Sequence, residues 1–205
     1  MKRIARILSV FMAFVLAFSS ATSVNVEAAS QKSIAKKVQK SLNSASNTCS
    51  EIAASIAGAW YFYIYESDDY DSSDFDDMVA DFSEYTGVPE DEIISEMESV
   101  GTTSEYMQYL TLTDLEASLA VAQMYYMNNG GYAKAQKQIK AAKKNLKKIN
   151  SKQKFYKTLK SYYSVTDNFY DLVLSPSGNY ESFTDTVIGY QKKIKKYKSD
   201  LGVEL

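Results

Sequence analysis

The side chains with the most chemistry to offer are carboxylates, and they are crowded. Residues 66–77 read ESDDYDSSDFDD, in which Asp69, Asp71 and Ser73 stand at the first, third and fifth places of an EF-hand calcium loop. The pattern then fails twice. Its sixth place needs glycine for a sharp turn and holds Asp74, and its twelfth needs a bidentate glutamate and holds Ala80. What is left is an expectation of loose, weak calcium binding by Asp69, Asp71, Asp74 and Asp77, of the millimolar strength that extracellular modules show, and of no other cofactor.

Missing residue types limit the rest. The chain has no histidine, one cysteine (Cys49) and only two arginines, Arg3 and Arg6. That removes serine–histidine and cysteine–histidine nucleophile pairs, histidine-ligated zinc and, beyond Arg6, bidentate arginine clamps. Gly130-Gly131 is the only glycine pair and stands in a helix-stop context, not in a phosphate-cradling loop. An enzyme built on this chain would work with Asp, Glu, Lys, Tyr or Ser. Carboxylates abound, but spacing along a chain does not set two of them a catalytic distance apart, so no pair is singled out. No catalytic residue is therefore expected, and the chain is expected not to be an enzyme.

Charge is the remaining chemistry, and it falls into blocks. Residues 29–40 carry four lysines and no acid, 41–133 carry 18 acids and no base, and 134–205 carry 16 lysines against 6 acids. Lys137, Lys140, Lys144, Lys147 and Lys148 avoid the apolar stripe of their segment and form a lysine face suited to polyanions. Lysine without arginine gives diffuse attraction to phosphates, not geometric recognition. Two arrangements are open. Acidic helices lie beside basic ones and neutralise them, which is the expected outcome, or the blocks segregate into two poles.

The elements that position these groups begin with a leader. Lys2, Arg3 and Arg6 precede an apolar run at 7–18, the length of a signal-peptide core and short of the roughly 20 residues that span a bilayer. Val26-Glu27-Ala28 suits a signal peptidase, so residues 1–28 are expected to be removed and 29–205 to form one domain, secreted by a bacterium of Gram-positive type. A lone cysteine leaves stability to packing, not disulfides.

Helical periodicity dominates that domain. Ile34, Val38, Leu42, Ala45, Cys49, Ile52, Ile56, Ala59 and Tyr63 recur at steps of three and four, predicting a helix over 31–66. The aromatic run at 60–65 has strand propensity, but its register continues the helix. The uncharged window 52–65 has 14 residues, too short for a membrane span. Short acidic helices follow. One is capped by Ser72 or Ser73 and stopped by Gly87, and the next starts at Pro89 and ends by Gly101. Thr113-Asp114-Leu115-Glu116 matches a capping box with Thr113 at the cap, opening a helix that stops at Asn129-Gly130-Gly131. Helical spacing resumes over 132–174 with a break at Asn150-Ser151, and after a turn at 175–178 a last helix carries Tyr180, Phe183, Val187, Tyr190, Ile194, Tyr197 and Leu201 inward. Tyr63, Tyr156, Tyr163, Tyr190 and Tyr197 are expected as half-buried boundary residues.

The expected fold is all-α: an antiparallel bundle of four to five main helices plus short acidic helices. The expected function is that of a secreted, non-enzymatic helical bundle acting at or outside the bacterial envelope. Its partner is an unknown protein or an anionic cell-envelope polymer held by the lysine face, and nucleic acid is the least expected partner. A membrane-active, toxin-like bundle is the first alternative and a carboxylate-based enzyme the second.

Overall fold

The structure is a computed structural model that describes the backbone of residues 2–99 and 101–205 and the side chains of 29–99 and 101–205. The expected leader and its cleavage site, in 1–28, lie outside the side chains described. Among the described residues the fold is all-α, with no strand. In chain order the helices are α1 (Lys2–Tyr65), α2 (Phe75–Thr86), α3 (Glu90–Ser99), α4 (Glu105–Leu112), α5 (Leu115–Asn128), α6 (Gly131–Leu146), α7 (Tyr156–Leu174) and α8 (Tyr180–Glu204), with a single 3-10 turn at Ser67–Asp69. No helix is long and apolar enough to cross a membrane among the described residues.

α1 is the spine. Val38, Leu42, Ala45, Cys49, Ile52, Ile56 and Ala59 are all fully buried along it, as the period of three and four requires. The aromatic run continues the helix: Trp60 and Phe62 turn inward, while Ile64 and Tyr65 face water. Two cores form along this one helix. α6, α7 and α8 close over Val38 to Ile56 with Ile139, Leu159, Tyr162, Phe169 and Phe183. α2, α3, α4 and α5 close over Ala59 and Phe62 with Phe75, Met78, Phe82, Ile93, Met97 and Leu112.

Local chemistry sets the joints, and it corrects several expectations. α5 is capped by Asp114, whose Oδ1 accepts from the Ala117 amide at 2.9 Å. Thr113 is not the cap, because α4 precedes it and its hydroxyl is spent on the Tyr109 carbonyl at 3.1 Å. α4 itself is an additional helix, opened by Ser104. At α2 neither Ser72 nor Ser73 caps. Ser73 instead donates its amide to Asp71 Oδ1 at 2.7 Å, and Asp74 takes the cap position. The break near Asn150 is present, and Gln31 of α1 secures it by accepting from the Asn150 amide at 2.8 Å. α8 opens with a reciprocal capping box between Asn179 and Ser182.

The turn after α6 also resets the helical phase. The buried stripe of α7 is Leu159, Tyr162, Thr166, Phe169 and Val173, so Tyr162 is the core residue and Tyr163 the boundary one. Tyr63, Tyr156, Tyr163, Tyr190 and Tyr197 are all half-buried, as expected of amphipathic rings.

Candidate functional site

The antiparallel order gathers the lysines. Lys143, Lys144, Lys147, Lys148, Lys152 and Lys154 surround the α6–α7 turn, and Lys157 and Lys160 begin α7. α1 enters at the same end, since Gln31 holds Asn150 there, and Lys32, Lys36, Lys37 and Lys40 line one of its faces. α8 runs towards that end. The Tyr197 ring stacks on Tyr162 at 6.2 Å, Tyr162 Oη donates to Asn43 Oδ1 at 2.8 Å, and Lys198 Nζ donates to Asn47 Oδ1 at 3.2 Å. Lysines of α1, α6 and α7 therefore meet at one end of the bundle, and those of α8, beside Asn47 near the middle of the 29–65 span, continue the basic surface along its side.

Of the predicted face, Lys137, Lys140 and Lys144 stand exposed on one side of α6. Lys147 is that helix's C-cap and Lys148 lies in the turn beyond it, so these two extend the face onto the end of the bundle. Among the described residues, the lysine ammonium groups that hydrogen-bond to side chains do so to amides: Lys140 to Gln136 at 2.8 Å and Lys198 to Asn47. The lysines of α1 and α8 were missed as members of this surface. Short loops, which imply antiparallel neighbours, were the signal that could have found them.

A groove of about 220 Å³ lies between the middle of α1 and α8, lined by Ser46, Asn47, Ser50, Gln191, Ile194, Lys195 and Lys198. Burial lowers the Lys198 ammonium below its usual pKa. The exposed lining of the groove is mostly apolar, and the Lys198 ammonium is engaged with the Asn47 side chain.

The acids go to the other end. Helices α2, α3 and α4 make their principal contacts with α1, α5 and one another. The side-by-side neutralisation expected of the charge blocks is thus not the arrangement adopted. Glu51 and Lys134, lining one small cleft with Thr48 and Asn129, mark a seam between the blocks.

The predicted calcium residues have local work. Asp71 accepts from the amide and hydroxyl of Ser73, bonds that hold its carboxyl below its usual pKa, and the Asp71 amide donates to Asp74 Oδ2 at 3.3 Å. Asp69 ends the 3-10 turn and Asp77 sits in the first turn of α2. No group of three or more ligating side chains converges on an ion-sized site among the described residues.

The thiol and two of the phenols are sealed in the core. Burial pushes the Cys49 thiol up to about 12 and the phenols of Tyr132 and Tyr162 also to about 12. Comparison of the chain with known protein families, with curated proteins and with solved structures finds no match.

Proposed function

We propose that this chain is a secreted, non-enzymatic helical bundle that binds an anionic polymer of the bacterial envelope through its lysine-rich end. One observation carries the proposal: lysines from α1, α6 and α7 converge on one end of the bundle, away from the acidic helices, and those of α8 continue that basic surface along the side. Lys137, Lys140, Lys144, Lys147 and Lys148 form the approach face. Lysines on flexible stems favour a polymer whose charges repeat without a fixed geometry. The sealed thiol and phenols, together with the absence of histidine, support a binding role over catalysis.

The test is binding of purified protein to teichoic acid and to polyphosphate at two sodium chloride concentrations. Affinity should fall steeply as salt rises, because each neutralised phosphate releases a counterion. Replacing Lys137, Lys140, Lys144, Lys147 and Lys148 by glutamine should weaken binding and flatten its salt slope. Binding that ignores salt, or ignores the five substitutions, sinks the proposal.

A further inference from the structure

The acidic end holds a cleft of about 260 Å³ that polymer binding does not use. Its floor is Ala54, Ala57 and Gly58 of α1, and its walls are Tyr61 of α1, Tyr85 of α2 and Tyr180 at the start of α8. The Tyr61 ring lies 5.0 Å from Tyr85, 6.3 Å from Tyr180 and 4.8 Å from Tyr65, one turn further along α1. Gly58 makes this possible. A Cβ there would stand 2.0 Å from the Tyr85 carbonyl oxygen, so the last turn of α2 rests directly on α1 and brings its ring beside Tyr61. Tyr65 is 57% exposed and Tyr85 38%, so the cluster opens to solvent. Scattered exposed aromatics are ordinary, but four in contact from three helices are not.

The surrounding charge narrows the ligand. Tyr85 donates to Glu66 Oε1 at 3.1 Å, and Asp81 is close enough to act on the same phenol. The block 41–133, which supplies the floor and two of the walls, contains no base. Among the described residues the chain's own cation–π contact lies elsewhere, Lys193 over Tyr190 at 5.9 Å. Ring faces carry partial negative charge, so aromatic walls beside a carboxylate attract a weakly hydrated cation. A neutral ligand gains nothing from the surplus negative charge, and an anion is repelled by it.

We propose that this cleft binds an organic ammonium group against Tyr61, Tyr85 and Tyr180, with Glu66 as its counter-ion. A small quaternary amine and the end of a lysine side chain share that chemistry.

Tetramethylammonium chloride is titrated into the purified protein at constant ionic strength, with tyrosine ring resonances as the readout and neopentyl alcohol as the neutral isostere. Choline and a lysine-rich peptide form separate arms that identify the source, and binding of either is a supporting result. The expected result is a saturable shift of the Tyr61, Tyr85 and Tyr180 rings, absent with the alcohol. Affinity should drop about tenfold in Tyr180→Ala and in Glu66→Gln, while Tyr61→Phe, which keeps its ring, stays within about twofold. Equal shifts from the alcohol, undiminished affinity in Tyr180→Ala with native circular dichroism, or no saturable shift at all overturns the proposal.

Discussion

Replacing Gly58 by alanine sets two effects of opposite sign against each other. Gly58 is inside α1, where glycine costs about 1 kcal/mol relative to alanine, so helix propensity alone predicts a gain of that size. Its neighbours predict a loss. The new methyl would stand 2.0 Å from the carbonyl oxygen of Tyr85, 2.6 Å from the carbonyl carbon and 3.1 Å from the Cα of Thr86. All three are backbone atoms, so no rotamer change relieves the clash, and the last turn of α2 must retreat by at least about 1 Å. That turn is pinned. Phe82 and Thr86 are buried, Thr86 Oγ1 donates to the Phe82 carbonyl at 2.7 Å and accepts from the Val88 amide at 3.2 Å, and Gly87 closes the helix at φ 67°. Overpacking of this kind costs up to about 3 kcal/mol, which leaves a net loss of about 2 kcal/mol after the gain in helix propensity. For a domain of this size the melting temperature should fall by roughly 4–8 °C. Urea and thermal melts of Gly58→Ala are compared with Gly189→Ala, also inside a helix but with nothing within 4 Å of an added Cβ. The control should gain up to about 1 kcal/mol. A Gly58→Ala protein as stable as the parent would refute the close approach of α1 and α2, and with it the placement of Tyr85.

Three further outcomes follow from buried polar groups. Tyr162 is fully buried, with its hydroxyl bonded to Asn43 Oδ1 at 2.8 Å and to Ser46 Oγ at 3.1 Å, so Tyr162→Phe should cost about 1–3 kcal/mol in urea unfolding and Tyr163→Phe below about 1 kcal/mol. The phenols of Tyr132 and Tyr162 are raised by burial from 10.0 to about 12, so the folded chain holds these protons more tightly than the unfolded one. The associated stability is intact below pH 10 and is lost as pH rises towards 12, so part of the phenolate absorbance should appear only as helical circular dichroism disappears. Complete ionisation in a still-folded protein contradicts this. Cys49 is fully buried with its thiol pushed up to about 12, so a disulfide reagent at mildly alkaline pH should label it only in denaturant. Rapid labelling of the native protein would place it on the surface.

What the sequence disclosed depended on how local the signal was. The α1 stripe was legible because each step of three or four residues tests the same face, and it correctly carried the helix through the aromatic run to Tyr65. α4 was not legible, since EYMQYLTL buries only Gln108 and Leu112 and shows no stripe. Tyr162 and Tyr163 are neighbours in sequence but about 100° apart around a helix, and the turn at 147–155 resets the phase between α6 and α7. That reset makes Tyr162 the core ring and Tyr163 the boundary one, and it takes Lys147 and Lys148 off the α6 face that Lys137, Lys140 and Lys144 share. The lysine end was half visible: the blocks could be read, but their meeting depended on helix order. The tyrosine cleft was invisible, because no spacing rule connects Tyr61, Tyr85 and Tyr180 before the helices are packed.

Segregated charge has a consequence that separates it from neutralised charge. From residue 29 to residue 65, α1 spans about 55 Å at 1.5 Å per residue, whereas charges are screened within about 8 Å at physiological salt. Away from the Glu51–Lys134 seam, attraction between the two ends is therefore weak, and each end feels mainly its own like charges. Repulsion within each end opposes folding, and salt relieves it. Urea unfolding should accordingly show a more stable protein at 0.5 M sodium chloride than at about 0.01 M, where the screening length grows to about 30 Å. Polyanion binding should move the other way, weakening over the same range. Had acidic and basic helices been laid side by side, salt would screen their attraction and stability would fall instead. The sign of that one slope tests the segregation directly: a fall in stability with added salt would mean that the lysines already have their anions within the fold, and the lysine-rich end would lose its claim to an external polymer.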